Sequence, residues 1–319
     1  MLAVHIEDRK VTVGQSRRPR RVAGHALLRL IEGGICNTDI ELLRGYYGFR
    51  GRPGHEFVAE VVEAETPALI GRRVVGEINI PCGRCEWCAR GLGRHCPRRT
   101  VLGIVRHPGA FAEYLTLPES NLHVVPDGIP TSHAVFVEPI AAACEILDQV
   151  KIPAGARVAV LGDGKLGLMI AQVLHSADAS VLLFGHHRSK LKIAERAGVE
   201  TALAKKRPPR KAFDWVVEAT GSAAGLATAV ATVRPRGTVI LKSTVHGTAA
   251  VDTAAVVVDE ITLVGSRCGR FAPALKLLRE KRLRLDEMIS GRYPLSEAAQ
   301  AFDRAVEPGV LKILLENRP

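Results

Sequence analysis

Residues 156–174 read ARVAVLGDGKLGLMIAQVL. A β-branched run comes first, then Gly162, Gly164 and Gly167 in the spacing GxGxxG, then residues with the apolar texture of a helix. Glycines are common, so the three alone carry little weight. Set between a strand and a helix they mark a tight turn that brings a pyrophosphate up to outward-pointing N–H groups at the helix N-terminus. Gly162, Gly164, Lys165, Leu166 and Gly167 are therefore candidate dinucleotide contacts.

Downstream, strand and helix patterns alternate. SVLLFG is followed by SKLKIAERAG, and FDWVVEATG by a helix predicted at 223–233, before GTVILKST and ITLVGS. At least five parallel strands are expected, which is a doubly wound α/β sheet. The second strand bears on cofactor choice. A site for NAD usually has an acid at its carboxyl end, about 20 residues past the first glycines, to bind the ribose 2′-hydroxyl. That place holds Gly185, followed by His186, His187, Arg188 and Lys190. A missing carboxylate beside a basic cluster suits a 2′-phosphate, so this reading favours NADP over NAD. On either side of these units, HAVFVEPIAAACEILDQV reads as a helix with Pro139 at its start. The C-terminal segment has two amphipathic helices and a closing strand, with Ser296 as an N-cap, and can return to the first domain.

Residues 1–35 alternate apolar and polar residues in short runs, as β-strands do. The stretch 34–57, GICNTDIELLRGYYGFRGRPGHEF, then offers the Cys36 thiol and the His55 imidazole with Asp39 and Glu56 close by. Cysteine and histidine together are ligands zinc favours, and an open position makes such a site catalytic. Thr38-Asp39 is expected to cap a short helix through ELLRG. Cys82, Cys85, Cys88 and Cys96 stand in a C-x2-C-x2-C-x7-C spacing that can close around one tetrahedral ion. Four thiolates leave no open position, so that ion is expected to be structural.

At 319 residues the chain has room for two domains, and 47% apolar with 24% charged residues excludes wholesale disorder. MLAVHIEDRK lacks the apolar core of a secretory signal. No apolar run approaches the roughly 18 residues that span a bilayer, so a cytoplasmic enzyme without a membrane partner is expected. The net charge of +11 raises the question of nucleic acid. Much of it lies in SRRPRR (16–21) and KKRPPRK (205–211), proline-interrupted tracts that read as exposed loops. Aromatics at 4% supply few stacking platforms, so no nucleic-acid partner is expected. Four of the seven cysteines lie within 82–96, which favours metal over disulfides.

Taken together, GICNTD, GHEF, the four-cysteine lobe, GAFAEY, VEPI, GDGKLG and GVLKILL resemble, in order and over nearly the whole chain, the zinc-containing medium-chain alcohol dehydrogenases. The resemblance implies a GroES-like β-rich catalytic domain (1–132 and 269–319) and an inserted Rossmann domain (133–268). Two zinc ions are implied, one held structurally by Cys82, Cys85, Cys88 and Cys96. Cys36 and His55 look like the first two ligands of the catalytic zinc, and Glu138 of VEPI like the third, as in the polyol, sugar and threonine branches. Glu56 matches a glutamate near the metal that can transiently ligate it, Asp39 the carboxylate that orients the histidine, and Thr38 the hydroxyl that bonds the substrate oxygen. The nicotinamide is expected near Ala219, Thr220, Gly221, Ser266 and Arg267.

Where the family commonly has a relay histidine, this chain has Glu41, so an altered relay ending in a carboxylate is expected. The expected activity is zinc-dependent, NAD(P)-linked hydride transfer to or from a secondary alcohol, in a homodimer or homotetramer. The alternatives are a zinc-independent quinone or carbonyl reductase of the same superfamily, which generally lacks these ligands, and a zinc-ribbon nucleic-acid binder, which leaves the glycine loop unexplained.

Overall fold

The computed structural model describes residues 1–204, 208–245 and 248–317, without the side chain of Tyr47. The first three residues of the basic tract 205–211 thus lie outside the described residues. The chain separates into two compact units, Met1–Glu138 with Ile289–Pro319, and Pro139–Met288. These seams fall later than the expected ones at 132 and 268. The helix Phe271–Arg279 belongs to the second unit. It is preceded there by Gly269, packed against the Ala141 carbonyl, and by Arg270, paired with Asp148 at 3.0 Å.

The first unit is built on a seven-stranded sheet. Its path runs Leu122–Val124, Arg73–Gly76, Glu56–Glu63, His25–Ile35, Lys312–Glu316, Ile289–Pro294, and Tyr114–Pro118 also pairs with His25–Ile35. The long strand His25–Ile35 is central, and apolar residues at 26–28, 30 and 35 put it in the core. Its register sets Gly34 opposite Glu56 on one side and Ile35 opposite Ile313 on the other. Two stretches far apart in sequence thus bring their polar residues to one strand end. Phe111 packs edge-on against Phe302 at 6.2 Å, which ties the C-terminal helix Ala298–Ala305 to this core.

The second unit carries six parallel strands in the order Glu200–Leu203, Ser180–Gly185, Arg157–Leu161, Phe213–Glu218, Val233–Leu241, Thr262–Gly265. This is the doubly wound order whose switch point lies beside the first strand. The helix Lys165–Ser176 follows that strand directly, with Gly164 as its N-cap.

Two capping expectations are corrected. Cys36, not Thr38-Asp39, is the N-cap of Asn37–Leu43, because Asp39 folds back to accept the Cys36 N–H at 2.9 Å. Ser296 lies in a 3-10 turn, Leu295–Glu297, and the helix after it is capped by Glu297 without a side-chain bond. Among the described residues no helix is long and apolar enough to cross a membrane.

Candidate active site

The strand His25–Ile35 ends one residue before Cys36, and Gly54 and His55 lead into Glu56–Glu63 beside it. Gly54 is required there: its φ is +101°, and a Cβ would lie 2.5 Å from the Phe111 ring. Asp39, fully buried, gathers the local chain. One carboxylate oxygen accepts the Cys36 N–H; the other accepts the Gly54 N–H at 3.0 Å and lies 3.3 Å from His55 Nδ1. That last approach is close enough for charge attraction but lacks the direction of a hydrogen bond, for Nδ1 has no such partner. Asp39 stands where it orients the imidazole, as its type and placement suggested.

Cys36, His55 and Glu56 present ligand atoms that all lie within 4.8 Å of one another. Glu56 was expected near the metal as an occasional ligand; here it is the carboxylate of the trio. Glu138, expected as the third ligand, sits in the first turn of Val137–Gln149 and is not one of the three. The Thr38 hydroxyl accepts from the Cys36 thiol at 3.9 Å, so it adjoins the same spot. Glu41 is half-exposed and paired with Arg44 at 2.7 Å.

Sequence reasoning missed Lys312, which lies in the GVLKILL stretch but reads there as an ordinary strand residue. Its Nζ donates to Glu56 Oε2, and both side chains are 1% exposed. Burial works against the charge on Lys312, yet the Glu56 carboxylate and the Cys36 sulfur raise its pKa above the ordinary lysine value. Burial likewise opposes protonation of His55, but Asp39 and Cys36 outweigh it and hold the imidazole well above its usual range. Lys312 occupies one oxygen of Glu56. The other, Oε1, is buried with no hydrogen-bond partner among the described residues.

A buried carboxylate oxygen left open beside a thiol and an imidazole is costly unless something binds it. As a thiolate and two carboxylates, Cys36, Asp39 and Glu56 outweigh Lys312 by two charges, which one divalent cation neutralises. The donor set fits zinc.

The four-cysteine lobe is also assembled. Cys85 Sγ lies 3.4 Å from Cys88 Sγ and 3.6 Å from Cys96 Sγ, and all four sulfurs belong to one cluster. These separations exceed a disulfide and approach the ~3.8 Å edge of a tetrahedron with zinc–sulfur bonds of about 2.3 Å. The Arg84 N–H, bonded to Cys82, brings that thiol down to about 6.

In the second unit the glycine loop has the form of a cradle. A Cβ on Gly162 would meet the Ala219 carbonyl at 2.4 Å, and one on Gly167 the Gly162 carbonyl at 1.9 Å, whereas Gly164 faces open space. Chain and helix are pressed together while the helix N-terminus stays free to receive a phosphate, so the loop fits a dinucleotide. Lys165 and Leu166 begin the helix. Ala219 N–H donates to Leu161 O, and buried Glu218, another residue sequence reasoning passed over, accepts from the Thr220 N–H at 2.8 Å and hydroxyl at 2.6 Å. Gly221 N–H donates to Ser243. Ser266 and Arg267 are held by Lys242, whose Nζ donates to Ser266 Oγ at 3.2 Å and to the Arg267 carbonyl at 2.8 Å. His186, His187 and Arg188 are exposed and Lys190 half-buried, while Arg188 is paired with Glu195 at 2.5 Å.

Comparison with known proteins agrees with this architecture. Residues 22–127 match the family described as the alcohol dehydrogenase GroES-like domain, and residues 166–280 the family described as zinc-binding dehydrogenase. The D-altritol 5-dehydrogenase of Agrobacterium fabrum is 31% identical over 91% of this chain and 91% of its own. The erythritol/L-threitol dehydrogenase of Mycolicibacterium smegmatis is 29% identical over 89% and 88%. Among solved structures, a zinc-binding dehydrogenase of Sinorhizobium meliloti 1021 bound to NADP superposes with a TM-score of 0.91 at 27% identity, over 99% of this chain and 98% of its own. With its zinc donor set, its glycine cradle and these matches, the chain belongs to the zinc-type medium-chain alcohol dehydrogenases and is an NAD(P)-linked oxidoreductase.

Proposed function

We propose that Cys36, His55 and Glu56 hold the catalytic zinc, and that the enzyme oxidises a secondary alcohol of the polyol, sugar or amino-alcohol class. The observation that carries this reading is the open, buried Oε1 of Glu56 beside the Cys36 sulfur and the His55 ring. When bound, the ion supplies Lewis acidity toward the substrate oxygen, and the nicotinamide exchanges the hydride. Asp39 keeps the imidazole in place. The Thr38 hydroxyl adjoins Cys36 and passes the substrate proton outward. Glu41, three residues on, is the acceptor at the protein surface. Glu138 is the competing third ligand.

Cys82, Cys85, Cys88 and Cys96 hold a second, structural zinc. The glycine loop, with Lys165 and Leu166, receives the pyrophosphate, and Ala219–Gly221 with Ser266 and Arg267 flank the nicotinamide. The polyol class is supported by relatives named for erythritol, threitol and altritol. A homodimer or homotetramer is supported by the edge strand Thr262–Gly265, where Leu263 is exposed, and by Val257 and Val258 nearby, 74% and 79% exposed.

The test is nicotinamide reduction across a panel of tetritols, pentitols and hexitols, with zinc-replete wild type and His55→Ala. Turnover that the substitution abolishes supports the reading. A wild type inert toward the whole panel in both directions, with its zinc in place, contradicts it.

A further inference from the structure

The end of the second parallel strand is not without an acid. The side chain of Asp163, between the first two glycines of the loop, reaches across to it. A Cβ placed on Gly185 would lie 2.5 Å from Asp163 Cβ and 2.7 Å from Asp163 Oδ2. The Asp163 carboxylate therefore fills the space that a side chain at the strand end would take, and only glycine is compatible with it there. The same carboxylate accepts the His187 N–H at 2.6 Å, and the His187 ring nitrogen Nδ1 lies 3.1 Å away. Asp163 is 6% exposed, so its position is fixed by packing as well as by these bonds. Arg188, the side chain best suited to a phosphate, is engaged by Glu195.

We infer that Asp163 is the cofactor-selecting residue: its carboxylate, delivered from the glycine loop instead of from the strand, takes the adenosine ribose hydroxyls and makes NAD the preferred dinucleotide. A carboxylate has about four lone-pair sites, and His187 engages only part of that capacity. An ionised acceptor suits a hydroxyl donor, whereas a 2′-phosphate set against it meets like charge, and the Arg188 guanidinium is already engaged by Glu195. The inference rests on the dinucleotide reading of the glycine loop.

The test is equilibrium binding of NAD⁺ and of NADP⁺ to the zinc-replete protein by calorimetry, which needs no turnover. Wild type is expected to bind NAD⁺ more tightly by about tenfold or more, the size of one lost hydrogen bond to a charged group. Asp163→Asn keeps the shape and the acceptor for His187, and should reduce that ratio by about tenfold. The transposed double variant Asp163→Gly with Gly185→Asp should regain the preference that Asp163→Gly alone loses. A wild type that prefers NADP⁺, or an Asp163→Asn protein that melts as wild type does and keeps the wild-type ratio, overturns the inference while leaving the dinucleotide site intact. Failure of wild type to bind either dinucleotide overturns both.

Discussion

Lys312 and Glu56 meet across Gly34, from strands on either side of the same central strand. Gly34 permits this, since a Cβ there would lie 2.9 Å from Glu56 Oε2 and 2.7 Å from Val135 Cγ1. The pair fixes one oxygen of Glu56 and leaves the other for a ligand, so an ion pair far from any recognised motif shapes the metal site.

Removing the cation should be costly. Lys312→Met leaves a buried carboxylate uncompensated, and a loss of about 3–5 kcal/mol in folding stability is expected. Denaturant unfolding in zinc-saturated buffer checks it; a loss under about 1 kcal/mol, typical of exposed pairs, would show the pair to be incidental.

Asp39→Asn should weaken the site without unfolding the protein. Asparagine keeps one acceptor for the Cys36 and Gly54 N–H groups but loses the charge beside His55. Catalytic zinc affinity should fall about 10–100-fold, as when other carboxylate partners of ligand histidines are removed. Competition with a metallochromic dye reads this directly, and an unchanged affinity would remove Asp39 from the account.

The two metal clusters should part company on acidification. Metal-free His55 has a raised pKa, so its proton is held at neutral pH and a metal must displace it; the proton's contribution to apo stability persists at low pH and is lost as pH rises through that pKa. Cys82, brought down to about 6, gives up its proton far more readily. Zinc should therefore leave the Cys36 site at a higher pH than it leaves the four-cysteine lobe. A chelator-release profile in which the lobe empties first would contradict this.

Glu41 tests the proton path. Its carboxylate is accessible and balanced by Arg44. Glu41→Gln should flatten or displace the acidic limb of the pH–rate profile while leaving zinc content unchanged. An unaltered profile would exclude Glu41 from the relay.

What the chain disclosed before its structure was known follows from range. The glycine loop, the four-cysteine lobe and the cysteine and histidine of the first unit are short patterns whose spacing alone limits their geometry. The alternation of strand and helix likewise announced the parallel sheet, though the short strand Glu200–Leu203 escaped notice. Lys312 was illegible because its partner lies 256 residues away, and only strand register joins them. Asp163 was overlooked for a related reason: a carboxylate was sought on the strand, while its side chain arrives from the neighbouring loop. Cys36 as an N-cap was missed because the acid that completes the box follows the cap by three residues and reads as a cap itself.

Metal content per chain, measured in wild type and in Cys36→Ala, tests the central claim most directly. Two zinc ions in wild type and one in the variant, with the fold and the four-cysteine lobe retained, are predicted from the two separate clusters. One zinc in both proteins would contradict a catalytic ion at Cys36, His55 and Glu56.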